Sequence, residues 1–375
     1  MLKVLTIFGT RPEAIKLAPV LVAFSKQSDL IESRICITAQ HREMLDEMLN
    51  FFDIVPHIDL NAMNHNQSLS DLSASLVPLI DSVFKEEKPD FALVQGDTTT
   101  AMLTAMVAYY NKVPVGHIEA GLRTYDRYNP FPEEINRRMI STLSTIHFAP
   151  TQRALKSLQR EGFDEKTIFL TGNTIVDALM SIKARLNENY VSSLPIPQSS
   201  EKKLLLVTAH RRENFGLPLR NICKALKTIA TLCHEIEIFY PVHPNPNVKE
   251  VVFDILSSVA NIHLLPPLSY LEFVYLLSKC SLVLTDSGGV QEEAPAFSKP
   301  ILVLRKITER PELVENGLGK VIGTDPDDIV MNVQKSVQNL DQYPKISSGR
   351  NPFGDGKASM RICNIIRNFF VPQSN

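Results

Sequence analysis

The chain has 375 residues, longer than a single core of ordinary size, so two domains are expected. With 44% hydrophobic residues and a mean hydropathy of −0.02, it reads as globular rather than disordered. A formal net charge of −2 excludes a global basic field that would recruit nucleic acid or an anionic membrane, so an anionic ligand must be held by local cations.

The chain opens with an apolar, β-rich run at 3–8, followed by Gly9-Thr10-Arg11-Pro12-Glu13. That run is too short for a secretory signal or a membrane span. The five cysteines carry no CxxC or CxxH spacing, so buried thiols and a cytoplasmic location are expected. Pro12 suits a first helical turn, and 14–26 carries helix-period apolar residues. Then come a strand at 33–39, a helix at 40–52, a polar loop at 59–68 and a helix at 69–85 that tolerates Pro78. A strand at 91–95 ends at Gly96-Asp97, a helix covers 98–110, and strands follow at 114–119, 146–149 and 168–170. Strands alternating with helices predict a parallel, doubly wound α/β sheet.

Residues 191–203, VSSLPIPQSSEKK, lack periodicity and read as a surface linker. The alternation then restarts. Strands are expected at 204–208, 237–241, 262–264, 282–285 and 300–304, and helices at 219–233, 247–259 and 270–279. This predicts two Rossmann-like domains, 1–172 and 173–356, with the ligand between the carboxyl ends of both sheets. A last helix, in 357–375, is expected to return to the first domain. Asp325-Pro326-Asp327-Asp328 reads as a solvated helix start.

The stretch 281–297, SLVLTDSGGVQEEAPAF, carries the densest signal. A buried strand runs into Asp286-Ser287-Gly288-Gly289, read as a tight turn made possible by two glycines, and then into a helix bearing Glu292 and Glu293. Free N–H groups at such a helix start form a phosphate seat. Ser287 adds a hydroxyl, and Glu293 lies far enough along to reach a ribose diol. An ordinary βα turn accounts for these residues taken alone. The chain has no GxGxxG after its first strand, no GxxxxGK[ST], no HExxH and no Cys/His metal spacing, so neither a cofactor nor a metal is expected.

Three carboxylates follow strand ends. Asp97 and Glu119 close their strands, and Glu133 lies in the loop-rich GLRTYDRYNPFPEE, with Arg123 and Arg127 beside it. A single acid at a strand end is more often a helix cap; three near one rim suggest proton transfer or charge stabilisation. Arg11, Lys16, His210, Arg211, Arg212, His243 and Arg310 spread over both halves, which suits a diphosphate. Phe273, on a helix, could stack on a base, although one aromatic in LEFVYLL is more often core.

The motifs FGTRPEAIKLAP, QGDTTT, GHIEAGLRTYDRYNPFPEEINRR, TAHRREN and TDSGGVQEEAP resemble the bacterial non-hydrolysing UDP-N-acetylglucosamine 2-epimerases, from the first strand to about Gly319. The resemblance implies a glycosyltransferase-B-like fold, a homodimer, and interconversion of UDP-GlcNAc and UDP-ManNAc for surface polysaccharide. It implies a catalytic set of Asp97, Glu119, Glu133 and His210. It implies UDP-sugar binding by Arg11, Lys16, His243, Phe273, Ser287, Gly288, Gly289, Glu293 and Arg310. Some members are activated by a second UDP-GlcNAc, in the region where Gln40, His41, Glu43 and Gln67 fall; Glu43 and Asn66 depart from the Gln and Arg of strongly regulated members. The alternatives are a hydrolysing epimerase, an epimerase of a modified UDP-sugar, a glycosyltransferase, and a nucleotide-sugar-binding regulator without catalysis.

Overall fold

The computed structural model describes residues 1–38, 42–62, 67–187, 190, 192–196, 202–343 and 351–370. The chain divides into two units, 1–178 with 353–375, and 179–352.

The first unit alternates β1 (Leu2–Phe8), α1 (Arg11–Ser25), β2 (Ile31–Ile37), α2 (Arg42–Phe51), β3 (Ile58–Asp59), α3 (Leu69–Glu87), β4 (Phe91–Gln95), α4 (Thr99–Tyr110), β5 (Val115–Ile118), α5 (Glu133–Leu143), β6 (Ile146–Ala149), α6 (Gln152–Arg160) and β7 (Ile168–Leu170). Its seven strands pair in parallel in the order β3-β2-β1-β4-β5-β6-β7. Sequence and packing agree here. A parallel sheet is covered on both faces, so its strands read as unbroken apolar runs, and every residue of β4, β5 and β6 is buried. α7 (Thr174–Asn187) then runs from this unit into the second.

Helix starts follow local chemistry. Thr10 and Glu13 form a capping box on α1 with Pro12 in the first turn, and Ser68 and Asp71 do the same for α3. Thr98 caps α4 by accepting from the Ala101 N–H at 3.0 Å. Pro78 sits inside α3 without ending it.

The second unit continues with β8 (Lys203–Thr208), α8 (Leu217–Leu232), β9 (Ile236–Pro241), α9 (Pro246–Leu256), β10 (Ile262–Leu265), α10 (Tyr270–Lys279), β11 (Leu282–Thr285), α11 (Gly288–Glu293), β12 (Ile301–Val303), α12 (Pro311–Glu315), β13 (Gly319–Val321) and α13 (Pro326–Gln338). Its parallel order is β10-β9-β8-β11-β12-β13. Both sheets therefore wind outward from their first strand, then reverse. The reversal creates a switch point between β1 and β4 in one unit and between β8 and β11 in the other, where α/β sheets bind ligands. The doubly wound, Rossmann-like reading holds for each unit. The linker stretch has no regular structure over 192–196, and the rest of it before Lys202 lies outside the described residues.

α14 (Ala358–Phe370) belongs to the first unit and packs on α1. It buries Ala358, Ile362, Cys363 and Ile366, and each isoleucine contributes about 1.5–3 kcal/mol of apolar burial. Phe370 meets Phe91 edge-on at 5.4 Å. The start of α14 is held by Asp177 of α7, which accepts from Ala358 N at 3.2 Å, Ser359 N at 2.9 Å and Ser359 Oγ at 2.6 Å.

Candidate active site

In the first unit the turns after β1, β4 and β5 and the start of α5 enclose a pocket of about 480 Å³. Thr10, Glu13, Lys16, Gln95, Asp97, Glu119 and Glu133 are among its lining residues. The three carboxylates singled out from the sequence thus line one pocket, each delivered by a different part of the chain.

Glu119 is held hard. Lys16 Nζ donates to its Oε1 at 2.5 Å, Gln95 Nε2 donates to its Oε2 at 2.5 Å, and Asn173 Nδ2 lies 3.5 Å from Oε1. Its φ of 69° is left-handed, a conformation that non-glycine residues adopt at a cost of order 1 kcal/mol and that clusters at functional sites. Glu133 is the first residue of α5 rather than part of a loop, and its Oε2 is buried without a hydrogen-bond partner among the described residues. Asp97 pairs with Arg137, whose Nη2 lies 2.6 Å from Oδ2, and its carbonyl accepts from Asn136 Nδ2 at 3.0 Å. Glu134, next to Glu133, is structural. It accepts from the N–H groups of Thr124 and Tyr125 and so folds the preceding loop.

His117 fixes the turn before Asp97. Burial pushes this imidazole down to about 3, so it is neutral, and its Nε2–H donates to the Gly96 carbonyl at 2.7 Å. Arg123 is no ligand candidate: its side chain is buried and donates to Glu161 at 2.8 Å and to Ser141 at 3.0 Å. Arg127 is exposed. Arg11, at the first position of α1, and Lys16, further along it, both belong to the switch-point helix.

In the second unit Asp286 organises the switch point. It is fully buried and accepts from His210 N at 2.9 Å, Arg211 N at 2.9 Å and Asn214 Nδ2 at 2.9 Å, which locks the turn after β8 against the turn after β11. His210 stacks on His243, with ring centroids 5.3 Å apart and planes at 17°. Burial is the main cause that lowers the His210 imidazole below its usual range; Asp286 opposes, and Arg211 and His243 add to the lowering. His243 Nδ1 accepts from Asn245 N, which leaves Nε2 to carry its proton when neutral.

The glycine reading needs correction. Gly288 and Gly289 are not a turn: they are the first residues of α11, which lasts only to Glu293 before a 3₁₀ turn, and Ser287 is its N-cap. Neither has a positive φ, so the backbone itself does not require glycine. A Cβ on Gly288 would meet only Arg211 Nη2 at 3.5 Å, so the missing side chain leaves room over the helix start. Glu293 accepts from Tyr270 Oη at 3.0 Å, and Arg310 donates to Glu292 at 2.6 Å, so that guanidinium is already paired. Phe273 is half-buried on α10, between the core reading and the exposed one.

Gln67 donates to Ser75 at 3.2 Å, whereas Gln40, His41, Asn66 and the Glu43 side chain lie outside the described residues. Sequence reasoning missed Glu13, Gln95, Arg137, Asn173 and Asp286 as groups that hold the site. Four of the five stand within the quoted motifs or next to a chosen residue; Asn173, in TGNTIVDAL, had no such signal. No group of three or more potential metal ligands occurs among the described residues, and none of them forms a helix long and apolar enough to cross a membrane.

The family model described as UDP-N-acetylglucosamine 2-epimerase matches residues 24–367. A UDP-N-acetylglucosamine 2-epimerase of Campylobacter jejuni is 46% identical over 372 residues, covering 97% of each chain. The crystal structure of UDP-GlcNAc 2-epimerase from Neisseria meningitidis bound to UDP-GlcNAc is 45% identical, with a TM-score of 0.90 and coverage of 97% of this chain and 99% of that one. The glycotransferase of kitacinnamycin, 12% identical with a TM-score of 0.62 over 98% of each chain, shares the fold alone.

Proposed function

The chain belongs to the UDP-N-acetylglucosamine 2-epimerase family, and from that membership we propose that it interconverts UDP-N-acetylglucosamine and UDP-N-acetylmannosamine by eliminating and re-adding UDP. The observation that supports this most is the meeting of Asp97, Glu119 and Glu133 around one pocket with Lys16.

No carbonyl acidifies C2 of the sugar, so direct proton removal at neutral pH is too slow. Breaking the C1–O bond first, with UDP taking the electron pair, leaves an oxocarbenium-like centre that makes the C2 proton labile. Loss of that proton to a carboxylate gives 2-acetamidoglucal. Protonation of C2 from the opposite face and return of the diphosphate oxygen to C1 complete the inversion, with atoms and charge conserved.

The residues suit these steps. Asp97 or Glu119 takes the proton, and the Glu119 carboxylate, fixed by Lys16 and Gln95, also stabilises cationic character in the ring. Glu133, with one oxygen uncommitted among the described residues, serves the other face. His210 is neutral at rest and donates an N–H to the leaving diphosphate, beside the N–H groups at the start of α11. Ser287, Gly288, Gly289, Glu293, His243, Phe273, Arg310 and Arg11 are assigned to the UDP. The reaction consumes no cofactor. Five free buried cysteines fit a reducing, cytoplasmic setting, and a homodimer supplying surface polysaccharide precursors is the proposed context.

The test is incubation with UDP-GlcNAc alone in D₂O, followed by ¹H NMR. UDP-ManNAc with deuterium at C2 is expected. Free ManNAc with UDP would identify a hydrolysing enzyme, and a product retaining its C2 hydrogen would exclude the elimination route.

A further inference from the structure

We propose that Glu13 is a positioning residue that clamps the two turns of the first unit's switch point to each other and thereby sets Lys16 and Asp97 for the epimerisation proposed above, on which the catalytic part of this inference rests.

Glu13 is only 1% exposed, yet both of its carboxylate oxygens are engaged. Oε2 accepts from Gly9 N at 3.2 Å, Thr10 N at 2.9 Å and Thr10 Oγ1 at 2.7 Å. Oε1 accepts from Thr98 Oγ1 at 2.9 Å, 85 residues away. The bonds at Oε2 are the capping box of α1, and a glutamine would satisfy that motif equally well. What the carboxylate adds is a second full acceptor, used to reach the turn after β4.

Thr98 is itself the N-cap of α4. One buried side chain therefore joins the starts of α1 and α4, which flank the β1–β4 reversal of the sheet. Both helices carry site groups at that end. Lys16 lies three residues beyond Glu13 on α1 and reaches Glu119; Asp97 is bonded through its peptide to Thr98. Burying the carboxylate has a cost, seen in the way desolvation raises its pKa against four opposing hydrogen bonds. A cap for one helix would not need a charge there. The second oxygen serves the turn after β4, and that register matters because misplacement of about 1 Å at a reacting centre costs on the order of 100-fold in rate.

Glu13→Gln, Thr98→Val, Thr98→Ser and the double variant Glu13→Gln/Thr98→Val separate this role from simple capping. Glu13→Gln is expected to lower kcat by roughly 10- to 100-fold with UDP affinity unchanged. Thr98→Ser should stay near wild type. Thr98→Val, which also loses the cap on α4, should fall at least as far as Glu13→Gln, and the double variant no further than Thr98→Val. Hydrogen exchange of the unliganded protein gives a readout free of catalysis: in Glu13→Gln, amides of both 9–13 and 96–101 should exchange faster, while β1 and β4 remain protected. Faster exchange in 9–13 alone, multiplicative losses in the double variant, or a Glu13→Gln kcat within about twofold of wild type overturns the clamp. If wild type makes no product from UDP-GlcNAc, the functional reading fails, while the exchange pattern still decides whether the clamp exists.

Discussion

At the residue scale, Glu119 concentrates what is unusual. A left-handed backbone, an ammonium at 2.5 Å and an amide at 2.5 Å hold its carboxylate in one place. Glu119→Gln removes the charge and keeps the shape. Turnover should drop by roughly 10²–10⁴, the usual worth of acid–base catalysis, while calorimetric binding of UDP persists; near-normal turnover would remove Glu119 from the chemistry. Gly288 gives the complementary case. A Cβ there has space in the fold, so Gly288→Ala should melt within a degree or two of wild type yet bind UDP at least tenfold more weakly. Unchanged affinity would mean that nothing approaches the start of α11. The strand-end acids and Lys16 were legible because a turn follows each strand and polar groups there need a purpose. Gln95, Arg137 and Asn173 were not, since the first and last reach Glu119 and the other reaches Asp97 from separate elements, which no local pattern encodes.

At the scale of elements, the buried strands and most of the helices were readable from apolar runs and periodicity, and two helix starts from Pro12 and from Asp325-Pro326. α5 was not read. It starts after Pro132 without a side-chain cap, inside a stretch whose prolines and polar residues signal a loop, and it is placed by tertiary bonds such as Arg137 to Asp97. β13 is three residues long, too short for any period to register. The start of α14 borrows its cap from α7, and this yields a prediction. Asp177→Ala strands the N–H groups of Ala358 and Ser359 and should cost about 1–3 kcal/mol. Thermal denaturation should show a loss of several degrees, with α14 amides exchanging first; an unchanged melting temperature would mean that packing on α1 alone holds the helix.

At the scale of the molecule, two sheets share one winding order, so both candidate ligand-binding rims arise from the same topological device. The first sheet also stores a pH dependence. His117 and His147 face each other across β5 and β6, and burial pushes their imidazoles down to about 3 and about 4 from 6.5. Their folded pKa values lie below the unfolded one, so the associated stability is complete above pH 6.5 and is lost as pH falls toward those values. Between pH 7 and 5 the pair should cost about 4 kcal/mol. Glu13 and Asp177, raised by burial, act in the opposite direction: their stabilising contribution is present at low pH and lost as pH rises through their folded values. His147→Phe isolates the histidine contribution. Urea midpoints at pH 7 and pH 5 should lie closer together in this variant than in wild type, by about half the histidine effect; equal spacing would contradict it. Finally, Asn173 donates its N–H to the Phe353 carbonyl at 2.7 Å, with Gly172 and Gly354 letting the two backbones touch. During synthesis, the partner of that bond leaves the ribosome only after all of 179–352 has been made. The second unit can therefore mature on the nascent chain while the first, though begun earlier, waits for its closing piece.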